Sequence, residues 1–197
     1  FAGYHRYRGF YLSNLYSRLP RILHRLLINP LIQALPEPTS GGDRIDHIKR
    51  FSASATLPPA NRYLSYVSSQ PPTQRRRLYL SNIAAQIDFD GTARCITEHF
   101  HNAKANNDID RMLYTDFKTY LPDDILTLSD RLSMWHSLEL RVPLVDHELV
   151  ELCARMPYRL KLGAMSQKRL LKKVAERWLP SSIIYHRKQG FESPMAS

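Results

Sequence analysis

Residues 116–154, DFKTYLPDDILTLSDRLSMWHSLELRVPLVDHELVELCA, change hydrophobic period partway along, a constraint that a generic helical bundle does not impose. Leu121, Pro122, Asp123 and Asp124 read as a loop entering a helix. Pro122 lies near the first helical position, and the two acids fall in the first turn, where the positive end of the helix dipole favours them. Ile125, Leu128, Leu132 and Trp135 then recur at helical spacing. After Ser137 the period falls to two, since Leu138, Leu140, Val142 and Leu144 alternate with Glu139, Arg141 and Pro143. That alternation predicts an extended segment with its apolar edge turned inward and Glu139 and Arg141 side by side on the other. Asp146 stands where it caps a further helix carrying Leu149, Val150, Leu152, Cys153 and Met156.

The same stretch resembles the C-terminal synthetase domain of glutamine-dependent asparagine synthetases, whose signature is close to LPDDLL, DRxSM and SLExRxPFLDH. Asp123, Asp124, Asp130, Arg131, Ser133, Met134, Ser137, Leu138, Glu139, Arg141, Pro143, Asp146 and His147 fall at the family's positions without a gap. Downstream, Gln167-Lys168-Arg169-Leu170-Leu171 resembles the family's Lys-x-x-Leu helix. Leu179-Pro180 followed by Arg187-Lys188-Gln189-Gly190-Phe191 resembles its LP…RxKQGF ending. At the start, FAGYHRY resembles the tail of the GDGGDELFGGYxRY loop, so the sequence is expected to be a piece of a longer domain. The resemblance is strong over 1–8 and 116–194 and weak between them. There are two departures, Leu128 for Lys and Leu144-Val145 for Phe-Leu; the second changes packing volume rather than chemistry, and neither falls on a reacting group.

The resemblance implies a mostly α-helical fragment of an α/β adenine-nucleotide α-hydrolase-like domain, spanning 1–197. The family's glutaminase domain and ATP-binding loop would lie outside it. It also implies a cytoplasmic ligase of asparagine biosynthesis that uses ATP and Mg²⁺ to form β-aspartyl-AMP from aspartate, with ammonia from glutamine as the attacking nucleophile. Mg²⁺ would be held mainly outside this chain, whose own residues suggest no metal site, and the chain alone is expected to be inactive. Lys188 matches the family's phosphate-contacting lysine. Independently of that match, a lysine beside Gly190, which allows close backbone approach, could close over phosphates as a point charge. Glu139 and Arg141, with Asp130 and Arg131 a turn earlier, could orient substrate. The simpler expectation for these four is an ion-pair network tying the helix to the extended segment. A relative that adenylates another carboxylate is the alternative within the same class.

The family's SGGxDS nucleotide loop is absent, and Ser40-Gly41-Gly42-Asp43-Arg44 only imitates it, because Arg44 stands where an Asp is required. A loop ending in the cap of a helix over 43–54 is the expected structure. With a net charge of +10, a basic nucleic-acid-binding module is the alternative from a different class. The charge is scattered, however. Around Arg75-Arg76-Arg77 and along 11–28 it reads as the solvated side of helices, the latter with Leu12, Leu15, Leu19, Ile22, Leu23, Leu26 and Leu27 facing the core and Pro20 dividing it. Specific nucleic-acid or membrane partners are therefore not expected, and a homodimer is left open. Two cysteines, Cys95 and Cys153, are too few for a disulfide framework. Pro58-Pro59, Pro71-Pro72 and Asp88-Phe89-Asp90-Gly91 punctuate short helices in the middle region, where His99 and His101 read as surface. His136 and His147 read as packed or hydrogen-bonded structural histidines. Helices over 107–155 and 166–179 are expected to share one core that buries Leu170, Leu171, Val174, Ala175 and Trp178.

Overall fold

Helix boundaries follow the chain's punctuation. The computed structural model describes residues 1–20, 23, 28–34, 44–68, 70 and 72–186, and among these every regular element is helical. Helices α1 (His5–Tyr16), α2 (Asn29–Gln33) and α3 (Arg44–Ala55) come first. Pro59 opens α4 (Pro59–Val67) and Pro72 opens α5 (Pro72–Arg77), each ring supplying the φ that a first turn needs. After the short α6 (Ser81–Ala84), Asp88 accepts from the amides of Asp90 and Gly91 at 3.1 and 3.0 Å, closing the turn that launches α7 (Gly91–Asn102). Asn107 caps α8 (Asp108–Lys118) by accepting from the Asp110 amide at 2.9 Å.

A π-helical turn, Leu121–Leu126, joins α8 to α9 (Thr127–Trp135), and the Thr127 hydroxyl donates to the Pro122 carbonyl at 2.7 Å. A 3₁₀ turn (Pro143–Val145) precedes α10 (His147–Arg155), which Asp146 caps through the amides of Glu148 and Leu149, as its sequence position predicts. The chain continues through α11 (Tyr158–Lys161), α12 (Arg169–Ala175) and α13 (Ser181–Ile184).

The core lies between α1, α4, α7 and α8. Tyr7, Phe10, Ala60, Tyr63, Phe100, Ile109 and Met112 fill it, with Ala2 and Leu162 at its margin. Tyr63 stacks on Phe100 with ring centroids 6.2 Å apart. α1 buries Tyr7, Phe10 and Ser13; of the leucine face expected over 11–28, Leu12 is half-buried, Leu15, Leu19 and Leu23 are exposed, and Ile22, Leu26 and Leu27 lie outside the described residues. Aromatic rings remove more surface from water than a leucine, and the Ser13 hydroxyl is satisfied by the Phe10 carbonyl at 2.8 Å, so this face wins. The middle region, weakest in sequence signal, thus supplies Ala60, Tyr63 and Phe100, a third of these core residues.

From residue 119 onward, Lys161 and Leu162 alone among the described residues are buried. The expected common core for 107–155 and 166–179 does not form. Leu170, Leu171 and Ala175 are half-buried, but Val174 is exposed and Trp178 is 71% exposed, because it follows the end of a short helix that packs mainly on α11. Residues 138–142 lack regular structure, and Leu138, Leu140, Val142 and Leu144 are open to solvent instead of turned inward. His136 and His147 are exposed as well, one at the end of α9 and the other starting α10, so of the packed or hydrogen-bonded histidines expected neither is packed.

Two outcomes follow from this unequal burial. Phe100→Ala should destabilise the chain by about 3–5 kcal/mol in urea unfolding, whereas Trp178→Ala should stay within about 0.5 kcal/mol. Trp135 (85% exposed) and Trp178 are the only two tryptophans, so native fluorescence should resemble that of the unfolded chain and be quenched freely by iodide.

Candidate functional site

Three segments far apart in sequence meet on one carboxylate. Asp116, on the last turn of α8 and 4% exposed, accepts from Arg6 Nη2 at 2.8 Å and Arg6 Nε at 3.1 Å. The phenols of Tyr7 and Tyr63 also donate to it, Tyr7 to the oxygen that Arg6 engages and Tyr63 to the other. A buried carboxylate is tolerated only when its lone pairs are met in this way. The Arg6 guanidinium is packed between the Tyr4 ring at 4.5 Å and the Tyr120 ring at 4.3 Å, and those two rings meet edge to face at 5.5 Å. Burial opposes the charge on Arg6, but Asp116 outweighs it and raises the guanidinium pKa. Burial first, and then the facing carboxylate, holds both phenols above the ordinary tyrosine range, so they remain donors at neutral pH.

A further segment docks beside this centre. Gln167 Nε2 donates to the Tyr4 carbonyl at 2.6 Å, and Arg8 Nε donates to the Ala164 carbonyl at 2.9 Å. Gly3 lies against the Lys168 side chain, whose Cε would stand 2.5 Å from a Cβ added there, so a larger residue would push the flexible end of that lysine aside. Ala2 and Lys168 flank this contact, both in the left-handed region with φ of 53° and 54°. Left-handed backbone without glycine costs about 1–2 kcal/mol per residue and concentrates at functional positions. Behind them the buried Lys161 ammonium donates to the Cys153 carbonyl at 3.0 Å and to Asp110 at 3.3 Å, fixing α10 and α11 against α8.

The residues singled out by sequence sit farther out. Glu139 and Arg141 do form an ion pair at 2.9 Å, but with side chains 67% and 82% exposed it has little energetic weight. Asp130 and Arg131 are exposed on α9, and among the described residues no ion pair links them to Glu139 or Arg141. The expected network is therefore a single surface pair: the turn at His136 and Ser137, where Ser137 has φ of 57°, carries the chain away from α9. Lys188, Gly190 and the loop 40–43 lie outside the described residues. The Asp116 centre was not read from sequence as a site. Asp116, Arg6 and Tyr7 lie inside motif-like segments, but Tyr63 carries no sequence signal, because only folding brings α4 to them.

Other candidates recede on inspection of the geometry. Arg75 Nη2 donates to the Phe89 carbonyl at 3.3 Å and Arg76 covers the Phe89 ring at 5.5 Å, so two members of the arginine run have structural partners. Among the described residues no three His, Cys, Asp or Glu side chains are grouped to hold a metal ion, and no helix is long and apolar enough to cross a membrane. Both cysteines are free, Cys95 exposed and Cys153 half-buried.

The two phenols make stability pH-dependent. Their folded pKa values are raised, so their contribution is complete below the unfolded value of about 10 and is lost as pH rises above it. Urea unfolding from about pH 8 to about pH 11.5 should show a flat region and then a fall of up to about 1.4 kcal/mol per pH unit for each phenol. Tyr7→Phe combined with Tyr63→Phe should remove that excess slope.

Comparison with known proteins matches residues 1–197 to the family model described as asparagine synthase. The chain is 27% identical over 195 residues to asparagine synthetase [glutamine-hydrolyzing] 1 of Bacillus subtilis, covering 99% of this chain and 29% of that protein. A putative asparagine synthetase [glutamine-hydrolyzing] of Mycobacterium bovis is 28% identical over 196 residues, covering 99% and 28% respectively. Asparagine synthetase [glutamine-hydrolyzing] 3 of Bacillus subtilis is 40% identical over 68 residues, 34% of this chain and 11% of that protein. No solved structure matches.

Proposed function

Because this chain belongs to the asparagine synthase family, we infer that it is the C-terminal part of a synthetase domain that makes asparagine from aspartate at the expense of ATP. The observation that carries this reading is the family match over the whole of 1–197. Arg6 and Asp116, more than a hundred positions apart in two segments that bear the family's motifs, meet directly, and Gln167 of a third such segment binds the Tyr4 carbonyl beside them. The chain spans less than a third of the length of the relatives it matches over 99% of its own, 29% and 28% in the two cases.

In the reaction inferred, a β-carboxylate oxygen of aspartate attacks the α-phosphorus of ATP. The bond to the bridging oxygen breaks, and pyrophosphate leaves with the electron pair. Ammonia from glutamine then adds to the acyl carbon, AMP departs, and the added nitrogen loses a proton to give the amide. Negative charge grows on the phosphate oxygens in the first step, so a positioned cation lowers its barrier. Lys188 is the residue proposed for that task, with Gly190 allowing backbone close to the nucleotide. Glu139, Arg141, Asp130 and Arg131 are solvent-facing charges available to orient substrate. Mg²⁺ would screen phosphate charge in such a reaction, but the described residues do not by themselves form a site for it, and no step is derived through it.

The open apolar side chains of the C-terminal half fit the same reading. Leu128, Leu132, Trp135, Leu138 and Leu144, with Trp178 and Ile183, offer a surface against which the rest of an α/β synthetase domain of the adenine-nucleotide α-hydrolase type would pack. The sequence has no SGGxDS loop. The 197-residue chain alone should therefore show no heat of nucleotide binding in calorimetry, and micromolar affinity would relocate the nucleotide site into it.

The decisive assay uses the full-length product of the gene, following pyrophosphate, asparagine and glutamate with ATP, aspartate and glutamine supplied. Pyrophosphate formation dependent on aspartate is expected; dependence on a different carboxylate would identify the related synthetase, and none at all would overturn the reading. Lys188→Ala should lower pyrophosphate formation about 100- to 1000-fold while leaving glutamine hydrolysis intact, and Lys188→Arg should restore only part of it.

A further inference from the structure

We propose that Asp116 is a positioning residue for the adenylation step, a role that rests on the function inferred above. Its carboxylate touches the start of α1 through Arg6 and Tyr7 and the core through Tyr63, while its own helix runs into the π-helical turn at Leu121–Leu126. Arg6 extends the tie, because the rings that sandwich it belong to Tyr4, whose carbonyl receives Gln167, and to Tyr120, which immediately precedes that turn.

The arrangement differs from ordinary core packing in its directionality. Methyl groups and rings can slide past one another at small cost, whereas a carboxylate saturated by a two-point guanidinium contact and two phenols has one satisfied geometry. Moving 1–8 relative to 119–126 breaks a charged hydrogen bond inside the protein. The cost of that break holds Gly3 against Lys168 and keeps the Asp123–Asp124 turn in register with both. π-helical turns are uncommon and recur at functional sites, and this one is only half-buried and closed by the Thr127–Pro122 bond, so an anchor on the preceding helix sets where it sits. Asp116 supplies it without contacting substrate.

The test compares Asp116→Asn, Arg6→Lys and Tyr63→Phe with the unsubstituted protein, using Asp88→Asn, which alters an exposed ion pair with Arg94, as control. In the full-length gene product, carboxylate-dependent ATP–pyrophosphate exchange should fall about 10- to 100-fold in kcat for Asp116→Asn, with KM for ATP within about threefold. Arg6→Lys should follow it closely, since one ammonium cannot replace the two-point contact, and Tyr63→Phe should be milder. In the 197-residue chain, hydrogen exchange should show protection lost at the start of α1, over 119–126 and over 163–172, with α7 unchanged. Unchanged kcat per folded molecule with only a lower melting temperature would overturn the proposal. So would loss of protection spread evenly through α4 and α7, or no loss anywhere. Should Asp116→Asn fail to fold, Tyr63→Phe, which keeps the ring on Phe100, carries the same comparison. If the unsubstituted protein exchanges pyrophosphate with no carboxylate, the adenylation reading fails, and the protection pattern alone decides whether Asp116 ties the three segments.

Discussion

A carboxylate removed from water has to be met by donors, and the way Asp116 is met organises this molecule. Arg6 supplies the compensating charge and Tyr7 and Tyr63 the remaining hydrogen bonds, so the pair is both neutral overall and sterically specified. Removing one member leaves the others buried and unmatched, at a cost of about 3–5 kcal/mol for a broken buried ion pair. The tyrosine rings serve twice. Their faces build the aromatic core with Phe10 and Phe100, and their hydroxyls reach the carboxylate, so apolar packing and charge placement are set by the same side chains.

Burial is divided sharply along the chain. Before residue 119 the helices surround a common interior; after it the elements are tied to that body by single hydrogen bonds, Lys161 to Asp110, Ala164 to Arg8 and Gln167 to Tyr4. The segment richest in family-like motif is therefore the segment with the least core of its own. Motif residues such as Asp123, Asp124, Glu139 and Arg141 are charged and solvent-facing, which suits groups kept for substrate and ill suits groups kept for packing. The density of chemical signal and the density of burial are set by different demands, and here they fall on opposite halves of one chain.

Local rules were legible wherever a single residue suffices to impose them. Pro59, Pro72, the Asp88 turn and the Asp146 cap act over four residues or fewer, so spacing alone locates them. Asparagine synthase family membership was likewise legible, because the motif between 121 and 147 runs without a gap and needs no partner to be recognised. Periodicity was a poorer guide. It marked the apolar edge of 138–144 and the face carrying Trp178 but could not tell whether anything lies over them, and in this chain they stand open.

What the sequence determined by itself, then, was helical content, the cut points between helices and the family chemistry to expect, since each depends on neighbours in the chain. Tertiary structure decided which faces are buried and where the charged centre forms. Tyr63 illustrates the reason: it is 53 positions from Asp116, its own surroundings in sequence are unremarkable for a helix, and its hydroxyl acquires a role only when α4 packs across α8. Leu15 of α1 is left exposed while Tyr7 and Phe10 are buried, for the same cause. A side chain's preference for the interior is local, but the interior itself is defined by the whole chain.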